Sequence, residues 1–459
     1  MNIKLWIAVA ASFLVPIVAS GDEAPLRIAA FQADVTPPIG SALCNGAVKP
    51  AKEIVTPLTA RGVILLGAGQ PIVLCAFDWV GIANESHDAF RQALAQSAGT
   101  SVDRVMVHTL HQHDAPGSDF ATERLLAEHG LANLYSNPAF DHQAIERVAA
   151  AAKSSLSTAQ AITHVGFGMG KVERVASSRR ILGENGKVAI IRMSSTRNPA
   201  AQAAPEGTID PLLRLIAFWN GEKPVAVLTY YATHPQSYYG KGSVNWDFVG
   251  MAREMRAQAL PGVAHIHFNG AAGNVAAGKY NDGSKENRAV LAGRLAEGMK
   301  LAWDSQKKEP LRASEVGWRV QPVALPVRDT LDEKQLLMIL ADTTKKQTDR
   351  LRAGRDLTFV RRTKGGHQIP LGCLYLGSAS VLHMPGELFV EYQLAAQGMR
   401  PDHFVALAAY GDYGPGYIGT EIAYGQGGYE TGIVSRVAPS VEKVLLDGMR
   451  RLLEERPTH

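Results

Sequence analysis

Val105-Met106-Val107-His108-Thr109-Leu110-His111-Gln112-His113-Asp114-Ala115-Pro116-Gly117 sets a short β-branched and apolar run directly before three histidines and an aspartate. The run has the composition of a buried strand, and the polar residues fall where that strand opens into a loop. Alternation along an extended chain predicts His111 and His113 on one face, within reach of one ion. Neutral imidazole is the commonest protein ligand for zinc, and clusters of this kind at strand ends are typical of metal hydrolases. The plainer reading is a polar loop rich in histidine.

Outward from this stretch, strand and helix patterns alternate, which predicts an α/β layered domain. Arg61–Leu66 and Pro71–Phe77 flank a Gly-Ala-Gly-Gln turn and read as a hairpin. Ser86–Gln96 reads as the helix before the histidine strand. Asp141–Leu156 reads as an amphipathic helix with Asp141 near its N-cap. A second hairpin, Leu213–Phe218 and Pro224–Tyr231 around Asn220-Gly221, runs into Ala232-Thr233-His234-Pro235. A helix over Phe248–Leu260 and a strand over Ala264–Phe268 follow. Helices are predicted over Lys285–Trp303 and Asp332–Ala353. Paired strands Cys373–Leu376 and Ser380–His383 end at Met384-Pro385-Gly386-Glu387. A further helix, the strand Phe404–Ala409, a Gly- and Tyr-rich loop from Tyr410 to Tyr429 and a closing helix over Val437–Leu453 complete the pattern. No internal repeat and no long linker is legible, so the expectation is one catalytic domain over residues 21–459.

Composition narrows the function classes. Lys4, an apolar run from Leu5 to Val18 and the small residues Val18-Ala19-Ser20 read as a signal peptide over residues 1–20. The protein is therefore expected to be periplasmic or secreted. The apolar run is short for a membrane span, and no later stretch qualifies, so no stable span is expected. Net charge is +4, falling to +3 without Lys4, and it is scattered, which argues against nucleic acid. Only Cys44, Cys75 and Cys373 occur. An odd count leaves a free thiol; a Cys44–Cys75 bridge is one option, and Cys75 and Cys373 read as buried thiols. The basic run from Lys345 to Arg362 reads as a solvated helix and its following loop.

Ligands in α/β proteins gather where strands end. Four such junctions carry chemistry: His111 with His113, His234, Glu387, and the loop holding Tyr413 and Tyr417. Two imidazoles, a carboxylate and a further oxygen suit a catalytic zinc with room for water. Taken alone, His234 before Pro235 reads as a turn residue. Glu387 reads as an acid at a helix start, and Tyr417 as a packed aromatic. The metal reading rests on the recurrence.

Further segments fall in the same order. Ala33-Asp34-Val35-Thr36-Pro37-Pro38-Ile39-Gly40 leads, then Pro57-Leu58-Thr59-Ala60-Arg61-Gly62-Val63 and Phe77-Asp78. His111-Gln112-His113-Asp114-Ala115-Pro116-Gly117, Ala232-Thr233-His234-Pro235 and Met384-Pro385-Gly386-Glu387 follow. Asp412 through Tyr417, Tyr424 and Tyr429-Glu430 close the set. This set resembles the catalytic domain of the neutral/alkaline, non-lysosomal ceramidase family over nearly the whole mature chain. The first segment is similar to its D-I-T-P-P-x-G signature, the histidine segment to H-T-H-S-G-P-G, and the glutamate segment to P-G-E. The resemblance implies mixed β-sheets flanked by helices and a zinc held by His111, His234, Glu387 and Tyr417. It also implies His113 beside the substrate carbonyl, His108 in a supporting place and a hydrogen bond from Tyr429. Asp247 then orients a ligand or caps its helix.

The departures are as informative. Where the family carries a serine in G-D-V-S-P-N, this chain has Gly273-Asn274-Val275-Ala276-Ala277-Gly278, so Ala276 removes that nucleophile. The chain ends soon after the matched region, so the expectation is that the immunoglobulin-like C-terminal domain of ceramidases is missing. Both departures weigh against ceramide. The expectation is an exported, zinc-dependent hydrolase that uses metal-activated water on a small-molecule or lipid-like amide, less favourably an ester or lactone. Arg179, Arg180 and Asn274 are candidate substrate contacts; the plainer reading of the arginines is a surface basic pair. Asp114, His265 and His267 leave a second ion open, though the last two fit strand packing better. Two other readings stand: a hydrolase of carbohydrate-derived substrates, and a periplasmic metal- or ligand-binding protein without catalysis. His111-Gln112-His113-Asp114 also begins the H-x-H-x-D-H pattern of metallo-β-lactamase-like sites, but Ala115 stands where the next histidine belongs.

Overall fold

Three sheets share one strand order. The computed structural model describes residues 25–454, so the expected signal peptide lies outside the described residues. In the first sheet the order is Val105–Thr109, Gly69–Phe77, Thr59–Gly67, Arg27–Asp34 and Gln160–Ala161. The second runs Ala264–Asn269, Lys223–Tyr231, Leu212–Asn220, His164–Lys171 and Lys307–Pro310. The third runs Phe404–Ala408, Ala379–His383, Ile369–Leu376 and Val316–Val323. In each, the first two strands named are parallel and the others antiparallel. Helices Asn84–Ala98, Asp247–Ala259 and Val390–Met399 make the parallel crossovers, which need such a connection. Pro138–Ser155, Asn287–Asp304 and Val441–Glu454 follow each unit. They lie against the strands Arg27–Asp34, His164–Lys171 and Val316–Val323 respectively.

The chain is thus a threefold repeat, where the sequence reading found none. The repeats share topology while their internal connections, residues 35–58, 172–211 and 324–368, differ in length and content. That difference removes any fixed period from the sequence. The three parallel edge strands meet at the centre. Thr109 N donates to Tyr410 O at 3.0 Å, Ala409 N to Asn269 O at 2.9 Å, and Asn269 Nδ2 to Leu110 O at 3.3 Å. This ring of bonds satisfies edges that would otherwise be open. It also gathers the loops of all three sheets at one point.

The two predicted hairpins, the strand–helix alternation and the layered α/β class stand. Several local readings are corrected. The helix over Asp332–Ala353 is two, Glu333–Ala341 and Gln347–Lys364. The Asp342 carboxylate bonds Thr344 N and Oγ1 at 2.9 and 2.6 Å, so the side chain competes with the helix for the backbone. Glu387 does not start a helix. It pairs with Tyr417 in a two-residue parallel strand, and the helix begins at Val390. The cap of the third helix is Asn137, followed by Pro138; Asp141 is buried against Ser118. The basic run is not simply solvated, because Arg350 is buried and bonds Leu340 O. All three cysteines are free, with Cys75 and Cys373 buried; no Cys44–Cys75 bridge forms. Among the described residues no helix is long and apolar enough to cross a membrane.

Candidate metal centre

Each repeat sends one side chain to the hub. His234 and Glu387 come from the loops after the second hairpin strand of the second and third repeats. His111 comes from the loop after the parallel strand of the first, and the hairpin loop of that repeat supplies the carbonyl of Val80 beneath it. The strand ends at Thr109, and His111 has a left-handed φ of 69°. The extended-chain argument for His111 and His113 therefore does not apply. A backbone turn, not alternation, aims the ring.

His111 Nδ1 donates to Val80 O at 2.6 Å, and His234 Nδ1 donates to Ala272 O at 2.6 Å. These bonds place the protons on Nδ1 and leave both Nε2 atoms as acceptors. Yet both Nε2 atoms face one oxygen, Glu387 Oε2, at 3.2 and 3.0 Å. Three buried acceptors within 4.8 Å of one another repel unless a cation sits between them. The donor set therefore fits a divalent metal. Tyr413 Oη donates to Glu387 Oε1 at 2.6 Å and fixes the carboxylate. Tyr417 Oη lies 3.3 Å from His234 Nε2 and accepts from Arg179 Nη1 at 3.0 Å.

His113 stands beside this group, its Nε2 3.2 Å from His111 Nε2. Gln236 Nε2 contacts both ring nitrogens of His113, Nδ1 at 2.6 Å and Nε2 more closely. Burial, then His111 and His234, hold its pKa well below the usual imidazole range, so the ring is neutral. A cavity of about 200 Å³ opens onto His111, His113, Glu387, Tyr413, Tyr417 and Tyr429. Tyr429, 39% exposed, stands at its mouth, edge-on to Tyr417.

Other sequence candidates lie elsewhere. Arg179 and Arg180 are not a surface pair: both are ion-paired to the fully buried Glu430, at 3.3 and 3.2 Å. Neither lines the cavity. Arg179 instead acts on Tyr417, and Arg180 donates to Ala423 O. Asn274 is buried, its Oδ1 accepting from Val390 N at 2.9 Å and its Nδ2 donating to Glu391 at 2.8 Å. It holds a helix start and does not reach the cavity. Ala276 is buried and its carbonyl accepts from Ser177 Oγ, so that hydroxyl is occupied too. Asp114 accepts from Gly240 N, and Asp247 from Ser237 Oγ and Phe248 N. His265 and His267 are buried in their strand, His267 bonded to Thr229. Gln236 escaped the sequence reading, although His234-Pro235-Gln236 repeats the spacing of His111-Gln112-His113.

His108 supports the hub through a buried pair. Its Nδ1 donates to Ala409 O at 2.7 Å, and its Nε2 meets His383 Nδ1 at 2.9 Å. Burial lowers the His108 pKa to about 3, and burial with His108 holds His383 well below the ordinary imidazole value. A base whose pKa is depressed on folding stabilises above its ordinary pKa of about 6.5 and loses that contribution as pH falls toward the folded value. The urea midpoint is therefore expected to fall between pH 6.5 and 4. His383→Gln should fall less steeply over the same range; an equal slope would contradict this account of the pair.

The fold and the site together define a class: a mixed α/β chain whose three repeats converge on a buried two-histidine, one-carboxylate cation site. Solved structures share the fold. Neutral ceramidase from Pseudomonas aeruginosa superposes with a TM-score of 0.70 at 16% identity, over 95% of this chain and 76% of that one. A ceramidase complexed with C2 gives 0.70 at 15%, with the same coverage. The fold is neutral-ceramidase-like. No protein-family model and no curated protein sequence matches the chain.

Proposed function

We propose that this protein is an exported zinc-dependent hydrolase that cleaves an amide with water. The observation that carries the reading is the convergence of the buried His111 Nε2, His234 Nε2 and Glu387 Oε2, with each imidazole Nδ1 bonded to a backbone carbonyl. The ceramidase fold supports an amide as the scissile bond. Export rests on the signal-like residues 1–20.

His111, His234 and Glu387 would hold the ion, with Tyr417 as the fourth ligand. When bound, zinc supplies Lewis acidity for polarising the carbonyl and activating water. The remaining work falls to this chain. Tyr413 keeps Glu387 in one orientation. Arg179 places positive charge at Tyr417 Oη. His113, neutral, offers its ring N–H to the carbonyl oxygen as negative charge grows there. Tyr429, at the mouth, adds a second donor. Water contributes hydroxide to the carbonyl carbon and a proton to nitrogen; the C–N bond breaks, leaving a carboxylic acid and an amine. With Ala276 in place of serine, no protein acyl intermediate forms at that position.

The test is turnover by zinc-loaded protein against amides, esters and lactones. His113→Ala is expected to keep its metal and lose about 10²–10⁴-fold in kcat, the usual worth of a positioned proton donor. Metal-loaded wild type that turns over no member of the panel would favour the binding-protein reading instead.

A further inference from the structure

One wall of the cavity is a single face of the helix Gln347–Lys364. Thr348, Leu351, Arg352 and Arg355, spaced as one helical face requires, all line it. Two of the three arginines at this cavity are already neutralised. Arg352 pairs with Asp349 at 2.9 Å, and Arg436 with Asp356 at 2.7 Å. Arg355 has no carboxylate partner among the described residues. Its guanidinium lies over the rings of Tyr135 and Tyr413, 5.4 and 5.6 Å from their centroids. A guanidinium carries five donors and keeps its charge, and Arg355 brings both to the cavity wall.

The location decides what this charge can do. Tyr413 lies between this charge and the metal group: its ring sits under the Arg355 guanidinium, and its Oη is 2.6 Å from Glu387 Oε1. Leu351 and Ile433 give the same cavity apolar surface beside it. At about 200 Å³ the cavity is compact beside the roughly 300–1,000 Å³ of drug-sized pockets.

We propose that Arg355 is the specificity residue of this site and reads a carboxylate a few bonds from the scissile amide, which makes the substrate class short N-acyl amino acids. The proposal rests on the hydrolase reading above. The planar fork of Arg355 suits a carboxylate through two parallel hydrogen bonds, and Leu351 and Ile433 take the apolar part of the ligand. Arg179 and Arg180, the sequence candidates for reading an anion, are excluded from that task by Glu430.

The test compares N-acetyl-phenylalanine with its uncharged carboxamide, using zinc-loaded protein. Wild type should prefer the acid by about 100-fold in kcat/KM, through KM; the ratio should collapse toward one in Arg355→Gln and recover partly in Arg355→Lys. A ratio near one in wild type, or one retained in Arg355→Gln, overturns the proposal. Calorimetric binding of the acid to both proteins separates the two readings. If neither compound is hydrolysed but the acid binds wild type and not Arg355→Gln, the hydrolase reading fails and the carboxylate reading stands. If the acid binds both proteins equally, or neither, the carboxylate reading fails.

Discussion

In Glu387→Ala, bound zinc is expected to fall from one equivalent per chain to below a tenth, and amide turnover to fall by about a thousandfold or more. Lewis-acid stabilisation of a transition state is worth several kcal/mol, and each 1.4 kcal/mol or so is a factor of ten. The carboxylate is the single anionic member of the group and sits 3.2 and 3.0 Å from the two imidazoles. Without it, two neutral nitrogens and a tyrosine remain, too little charge for tight binding. The stability signature should follow. Zinc at a hundredfold excess over its dissociation constant stabilises the native state by about 2.7 kcal/mol. Added zinc should therefore raise the melting temperature of wild type and leave that of Glu387→Ala unmoved. Metal analysis and calorimetry on the same samples read both effects; equal zinc content in the two proteins would contradict the assignment.

Glu430→Gln is expected to destabilise the protein by about 3–5 kcal/mol, the usual cost of removing one partner from a buried ion pair. Glu430 is fully buried and serves two arginines, whose side chains are 2% and 6% exposed. The amide keeps the shape and loses the charge, leaving Arg179 and Arg180 without a counter-ion. Arg179 also holds Tyr417, so the variant should lose activity even where it remains folded. Urea unfolding measures the first effect. A loss below about 1 kcal/mol would mean that the pair behaves like a solvent-exposed one.

Much of this architecture is readable in the chain because hairpins and crossover helices carry their own periodicity. Thr59–Gly67 with Gly69–Phe77, and Leu212–Asn220 with Lys223–Tyr231, are such cases. His111, His234 and Glu387 stand out because each lies just past a strand, beside proline or glycine residues that mark a turn. What the sequence hid depends on distant partners. The strand at Glu387 exists only through its two-residue pairing with Tyr417. The geometry of His111 is set by a left-handed turn and by the Val80 carbonyl, neither of which side-chain alternation encodes. The threefold repeat is invisible because the connections diverge while the pairing order persists. Arg179 and Arg180 read as surface cations because the carboxylate between them, Glu430, lies far along the chain. Arg355 was masked in the opposite sense, as one arginine in a basic helix whose buried face only packing reveals.

The central claim is that three repeats build one metal site from His111, His234 and Glu387. X-ray absorption at the zinc edge, on wild type and His234→Ala after dialysis against zinc, tests it most directly. The account predicts one zinc per wild-type chain, with two imidazole nitrogens at about 2.0–2.1 Å, oxygens at about 2.0–2.2 Å and no sulfur, and loss of that signal in His234→Ala. A wild-type chain that retains less than a tenth of an equivalent, or an unchanged signal in His234→Ala, would contradict it.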